Sequence, residues 1–239
     1  MKPKPGRALT VVMVLLTVTT GMIEAVSFLV LGPVFAAVQT GSLLLLGFAV
    51  AGTAGISITA TAASLAGFAV GAVGGSRAES AIDGRGRRWF TAALVGEGLL
   101  LSASAFVVWR IGIERSGGPV DGRHLAAISM VACAMGVRNV TTLRVKEPGI
   151  STTVVTTALT GLLVVLHPLA ADSRVGSGAG EESRRLSSIL AMFSGALFGA
   201  WLLDRSVHPA VVLAVPAGLV LALGLALSAL PRERTSVPG

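Results

Sequence analysis

Ala8-Leu-Thr-Val-Val-Met-Val-Leu-Leu-Thr-Val-Thr-Thr-Gly-Met-Ile-Glu-Ala-Val-Ser-Phe-Leu-Val-Leu31 is apolar almost throughout and carries a single charge, at Glu24. A helix needs about 20 such residues to cross the hydrocarbon of a bilayer. Seven further blocks follow: Val34 to Val50, Ile58 to Gly75, Trp89 to Trp109, Leu125 to Thr142, Thr152 to Leu169, Leu186 to Leu203, and Pro209 to Leu230. Nearly every charge lies between blocks or at the termini. None of the blocks alternates with the period of two that a β-barrel strand requires. Lipid offers backbone N–H and C=O groups no partner, so blocks of this kind are helices.

Composition agrees. The chain is 53% hydrophobic and 13% charged, with a mean hydropathy of +0.80; about a quarter of a soluble domain is charged. The expectation is an all-α, polytopic transmembrane helix bundle of six to eight spans, eight favoured, forming a single membrane domain over residues 1–239 with the lipid bilayer as its partner. Lys2, Lys4 and Arg7 before the first block imitate a secretory signal, but the apolar blocks downstream exclude a cleaved signal followed by a soluble domain. The net charge of +7 comes from arginines at block ends, such as Arg85, Arg87 and Arg88 or Arg184 and Arg185, which anchor helices against anionic lipid. With no tyrosine and no interleaving of aromatic and basic residues, nucleic acid is not an expected partner. Cys133 is alone, which rules out an internal disulfide and a cysteine-based metal site. Basic residues divide nearly evenly between the two sides whether or not one early block is re-entrant. Both versions place the N-terminus in the cytoplasm.

Self-comparison brings out a repeat. Gly21-Met-Ile-Glu24 and Gly136-Val-Arg-Asn139 stand late in the first and fifth blocks. Gly32-Pro-Val-Phe-Ala-Ala-Val-Gln-Thr40 and Gly149-Ile-Ser-Thr-Thr-Val-Val-Thr-Thr157 open the second and sixth. Gly67, Gly71 and Gly75 in the third block match Ala191, Gly195 and Gly199 in the seventh, both as small-xxx-small seams for helix packing. The reading is two units of four blocks, 1–119 and 120–239, an even number each and therefore parallel halves (4+4) about an axis along the membrane normal. Transporters often bind substrate between such halves.

At these same residues the chain resembles a known family. Leu16-Thr-Val-Thr-Thr-Gly-Met-Ile-Glu-Ala-Val-Ser-Phe-Leu-Val-Leu-Gly32, followed by Phe35 and Thr40-Gly41-Ser42, resembles the opening signature of the YoaK family, also called DUF1275. Ala132-Cys-Ala-Met-Gly-Val-Arg-Asn139 and Ser151-Thr-Thr-Val-Val-Thr-Thr157 resemble two later signatures. The resemblance implies a bacterial polytopic inner-membrane protein and no particular chemistry. Four positions depart from the family pattern: Glu24 stands for Asp, Ser42 for Asn, Arg138 for Gln and Thr157 for Gly. The loss of the amide at position 42 puts in doubt any ligand contact made there.

Ionisable groups at membrane depth are costly and so are candidates for function. Glu97, between Gly96 and Gly98 with no basic residue within a turn, reads as a proton-carrying acid or a protonated carboxyl bridging to a neighbouring helix. Glu24 and Arg138 occupy matching places in the two halves and suggest an ion pair across their interface. Gln39, Thr40, Asn139, Thr153 and Thr156 are candidates for a polar solute or ion pathway. His124, His167 and His208 share no metal-ligand spacing with a carboxylate, and no cofactor is expected. Enzyme motifs such as G-x-S-x-G, a P-loop or H-E-x-x-H are missing, so the chain is not expected to be an enzyme. Asp172 to Arg185 reads as a Gly/Ser-rich connector. Two functions suit the whole: a small secondary transporter or permease for a small solute or ion, proton-coupled through Glu97 or Glu24, and a membrane-embedded accessory protein with no transport cycle.

Overall fold

The structure, a computed structural model, describes residues 7–85, 88–113, 120–145 and 179–229. Seven α-helices lie among them: α1 Arg7–Val26, continued by a π turn Ser27–Leu31, α2 Gln39–Val50, α3 Ile58–Gly84, α4 Trp89–Ile111, α5 Gly122–Val145, α6 Ala179–Asp204 and α7 Pro209–Ala229. Six of these are long and apolar enough to cross a membrane, with α1 and its π turn counted as one. Leu43, Leu44, Val70, Phe106, Trp109, Phe193 and Leu197 are exposed, whereas Thr17, Thr19, Thr20, Glu24, Glu97 and Arg138 are buried. An apolar outside around a polar inside is the distribution of a protein solvated by lipid.

Two apolar clusters mark the two ends of the bundle. In one, Leu9, Val12, Met13 and Leu16 from the start of α1 meet Trp89, Phe90 and Leu94 from the start of α4 and Val220 late in α7, with Ile82 and Val145 packed against them. In the other, the end of α1 (Met22, Val26, Leu31) meets Leu101 and Val108 late in α4, Ala60 early in α3, Ala127 and Ile128 early in α5, Leu213 early in α7, and Leu203 at the end of α6. The six long helices therefore alternate in direction along the chain. α1, α4 and α6 run one way, and α3, α5 and α7 run the other.

Three expectations are corrected here. The second block is not a span. Its helix begins only at Gln39 and has 12 residues, about 18 Å at 1.5 Å per residue against roughly 30 Å of hydrocarbon. Gly32, at φ +135°, and Pro33 break the chain before it, and proline disfavours helix in the residue ahead of it. With that block not crossing, the six long helices replace eight spans as the described architecture; the sixth block lies outside the described residues. The halves are not parallel either, because α1 starts and α5 ends at the same end of the bundle. Finally, α3 runs on past Gly75 to Gly84, and α6 begins at Ala179, inside the stretch read as a connector. His124 lies in the first turn of α5 and contacts Asp121, 2.8 Å away.

The tightest contacts join helices far apart in sequence. Gly67, Gly71 and Gly75 of α3 lie against Ser129, Cys133 and Val137 of α5, while Gly195 and Gly199 of α6 lie against Val18 and Met22 of α1. A Cβ at Gly71 would overlap the Cys133 carbonyl, and backbone there has no room to give; at Gly74, one position off the seam's i+4 series, it would meet nothing. Gly71→Ala is expected to lower stability by about 1–3 kcal/mol, the range for overpacking, while Gly74→Ala leaves it unchanged or raises it. Thermal unfolding of the two variants in detergent measures the contrast, and equal melting temperatures would mean that the seam is not close-packed.

Candidate functional site: a broken helix and two buried acids

Glu24 sits one turn before α1 widens into its π turn. Beyond Gly32 the chain doubles back, and Ala36, Ala37 and Val38 donate their N–H groups to the Glu24 carboxylate at 3.1, 2.6 and 3.0 Å. Val38 is the N-cap of α2, whose N–H a helix start leaves without a carbonyl partner, and Ala36 and Ala37 lie in the turn ahead of it. Around them, Ser42 Oγ donates to the Phe35 carbonyl at 2.8 Å and accepts from its N–H at 3.1 Å. Ser64 Oγ, from α3, donates to the same carbonyl at 2.7 Å. Gln39 Nε2 donates to the Ala36 carbonyl at 2.6 Å. Gly41 faces the Phe35 ring at a distance that leaves no room for a Cβ, and that ring stacks on Phe28 with centroids 5.1 Å apart. The acid, the serine, the phenylalanines and the Thr-Gly-Ser of the opening signature thus fold into one hairpin of broken helix.

The second acid is bound differently. Glu97 on α4 faces Arg138 on α5, both about 1% exposed. Arg138 donates from Nε to Glu97 Oε1 at 2.8 Å and from Nη2 to the same oxygen. Its Nη1 donates to the Leu16 carbonyl at 3.0 Å and to Thr20 Oγ1 at 2.8 Å, both on α1. One guanidinium therefore ties three helices together. Glu97 Oε2 is buried without a hydrogen-bond donor among the described residues.

This geometry overturns two expectations. Arg138 pairs with Glu97 and not with Glu24, whose partners are backbone N–H groups. Glu97, in turn, does have a cation, supplied by a neighbouring helix and invisible to a search within one turn of its own. Because α4 and α5 are antiparallel, position 97 falls opposite 138, just as Trp89 falls beneath Arg144, whose guanidinium carbon is 4.5 Å from the ring centroid.

Of the other pathway candidates, Gln39 is folded into the hairpin, Thr40 is exposed on α2, and Asn139 is half-buried on α5 beside Arg138. Thr153 and Thr156 lie outside the described residues. The hydroxyl of Ser42 is committed to the Phe35 backbone. Among the described residues no group of His, Cys, Asp and Glu is arranged to hold a metal ion.

Glu79 is a buried acid that the sequence reading missed. It is 2% exposed, accepts from the Thr141 hydroxyl, and has Arg144 Nη1 at 3.8 Å. Arg144 also donates to Asp83 at 2.7 Å. The signal was present: Glu79 continues the series Gly67, Gly71, Gly75 by another four residues, so it points at α5 as they do.

A family model described as a protein of unknown function (DUF1275) matches residues 12–226. No curated protein and no solved structure matches the chain.

The pairing can be read from a double-mutant cycle on folding stability. Glu97→Gln and Arg138→Gln should each destabilise by about 3–5 kcal/mol, because each strands a buried charge, and the double variant should recover much of that loss. Glu24→Gln combined with Arg138→Gln should instead be additive. Coupling between Glu24 and Arg138 in place of Glu97 would contradict the geometry.

Proposed function

The chain belongs to the DUF1275 family, whose activity is unknown, and we propose that it is a small secondary transporter or permease for a small solute or ion, built from two units of opposite orientation. The observation that carries the reading is a coincidence of register. An offset of 115 residues maps Val18, Gly21 and Met22 of α1 onto Cys133, Gly136 and Val137 of α5, and one of 124 maps Gly71 and Gly75 of α3 onto Gly195 and Gly199 of α6. The contacts follow the same map. Gly195 against Val18 repeats Gly71 against Cys133, Gly199 against Met22 repeats Gly75 against Val137, and Gly21 against Met192 and Ala196 repeats Gly136 against Phe68 and Ala72. Between α4 and α7, Gly98 meets Leu221 and Gly224 meets Val95, a contact that a two-fold rotation exchanges with itself. Those two helices are antiparallel, so the axis lies in the membrane plane. Inverted units with a broken helix at membrane depth are a recurrent architecture of secondary transporters.

Within this reading the two acids have separate tasks. Glu97 and Arg138 form a fixed clamp. Glu24 has backbone N–H groups as its hydrogen-bond partners, so a proton arriving there removes the charge that gathers the hairpin and loosens it. A membrane-embedded accessory protein remains the second reading, favoured by the hydrogen bonding that already occupies both Glu24 and Arg138. Reconstitution in liposomes with a panel of solutes under an imposed pH gradient separates the two. Transport predicts pH-driven uptake by the unaltered chain that Glu24→Gln abolishes when uptake is normalised to the folded protein recovered; a protein without a transport cycle gives no uptake with any solute.

Orientation follows from charge. Among the described residues, Arg7, Arg85, Arg88, Arg144, Arg184 and Arg185 flank helix ends on the side where α1 begins, against Arg110, Arg123 and Arg205 on the other. The positive-inside rule makes the first side cytoplasmic in a bacterial inner membrane. Reporters fused at either terminus should be cytoplasmic, and one inserted between Gly52 and Thr53, after α2, should be outside. A C-terminal reporter outside would mean an odd number of crossings and would remove the inverted pairing.

A further inference from the structure

Every buried serine and threonine among the described residues donates its hydroxyl to a backbone carbonyl, save Ser27. Ser27 is 1% exposed, opens the π turn that ends α1, and its Oγ has no hydrogen-bond partner. It stands three residues after Glu24 and so beside it on one face of the helix, a turn nearer the break. Gln39 Oε1, in the hairpin that closes over Glu24, is also buried without a donor. Turning the amide round is no remedy, because its Nε2 faces two carbonyls, that of Ala36 at 2.6 Å and that of Phe35 at 3.4 Å. Leaving a buried polar atom unpaired is unfavourable, and two around one carboxylate point to a group that completes them.

Charge narrows the choice of group. The partners of Glu24 are backbone N–H groups alone, with no cationic side chain beside it among the described residues. Arg138 is held by Glu97, the Leu16 carbonyl and Thr20. A carboxylate offers about four lone-pair positions; here Oε1 receives two donors and Oε2 only the Ala36 N–H. A water would satisfy the hydroxyl and the amide yet leave the charge uncompensated at membrane depth, where that is costly. A cation meets both needs. Ser27–Leu31 is moreover the last turn of its helix, the negative pole of the helix dipole.

We propose that Glu24 Oε2, Ser27 Oγ and Gln39 Oε1 bind one monovalent alkali cation at the broken end of α1. A single carboxylate with neutral oxygens balances one positive charge, whereas calcium sites gather several carboxylates and softer metals prefer sulfur or imidazole. Discontinuous membrane helices hold coupling ions at such ends. The assignment rests on the reading of Glu24 as the working acid of an ion-coupled protein and names the class of ion, but binding is measured without any transport.

The full chain, purified in mild detergent, is melted in rising sodium or potassium chloride, with choline chloride holding the ionic strength constant. A ligand that binds the folded state raises the melting temperature, so one or both cations should raise it by several degrees with a half-saturating concentration that can be measured. Ser27→Ala removes one ligand together with an unpaired hydroxyl. It should melt no lower than the unaltered chain in choline, while its half-saturating concentration rises roughly tenfold. Ser188→Ala also deletes a buried hydroxyl, one bonded to the Arg184 carbonyl, and should keep the cation response. Glu24→Gln should lose it; should that variant fail to fold, Ser27→Ala decides alone. No cation-specific shift in the unaltered chain would overturn the assignment, as would an unchanged half-saturation in Ser27→Ala. A cation response without uptake of any solute in liposomes would remove the transporter reading and leave the site standing, and pH-driven uptake without a cation response would do the reverse.

Discussion

Ala36, Ala37 and Val38 present their N–H groups ahead of a helix that begins only at Gln39, and in surroundings of hydrocarbon there is no water to receive them. The Glu24 carboxylate, 12 to 14 residues earlier in the chain, receives all three. Much follows from this one satisfaction. It allows α1 to stop at Gly32 and the chain to turn back on itself, and it lets α2 remain half the length of a span. Because α2 does not cross, α3 starts at the end where α1 finished, and each later helix takes its direction from that. A buried charge, costly in itself, is tolerated because it settles a debt of backbone donors that no neutral side chain of similar size could meet as fully.

The helix pairs that result are not neighbours in sequence. α1 lies along α6 and α3 along α5, parallel in each case and drawn together by glycines that admit backbone to within contact. Lipid tails are as apolar as leucine, so close packing and interhelical polar contacts must hold such pairs. Arg138 adds the second kind. By bonding Glu97, the Leu16 carbonyl and Thr20 together, it joins α5 to α4 and α1 at the level where the two apolar end clusters meet. The glycine seams fix the distance between helices, and the guanidinium fixes their register.

Much of the candidate site was legible residue by residue and illegible in its connections. Glu24, Glu97 and Arg138 stood out because charge inside an apolar block is rare, and the small-xxx-small series located the seams before any helix was seen. The ion pair was misassigned because the similar stretches around Glu24 and Arg138 suggested contact between them. In fact Arg138 meets α4 and α1, while Glu24 meets the turn before α2. Glu79 was passed over because its block was ended at the first charge after Gly75, although the four-residue series ran straight through it. The short α2 read as a span because hydropathy averages over Gly32 and Pro33 and does not register the break they impose.

The sequence by itself determined that this is a helical membrane protein, which residues are costly to bury, and where small side chains repeat, since these depend on composition and spacing along one chain. Tertiary structure alone decided that six long helices alternate in direction, that α1 and α5 oppose each other, and that Arg138 serves Glu97 while Glu24 serves a backbone turn. Those outcomes depend on which donors and acceptors are brought within 3 Å of one another by packing, and hydrogen-bond partners distant in sequence leave no mark on the local pattern of either residue.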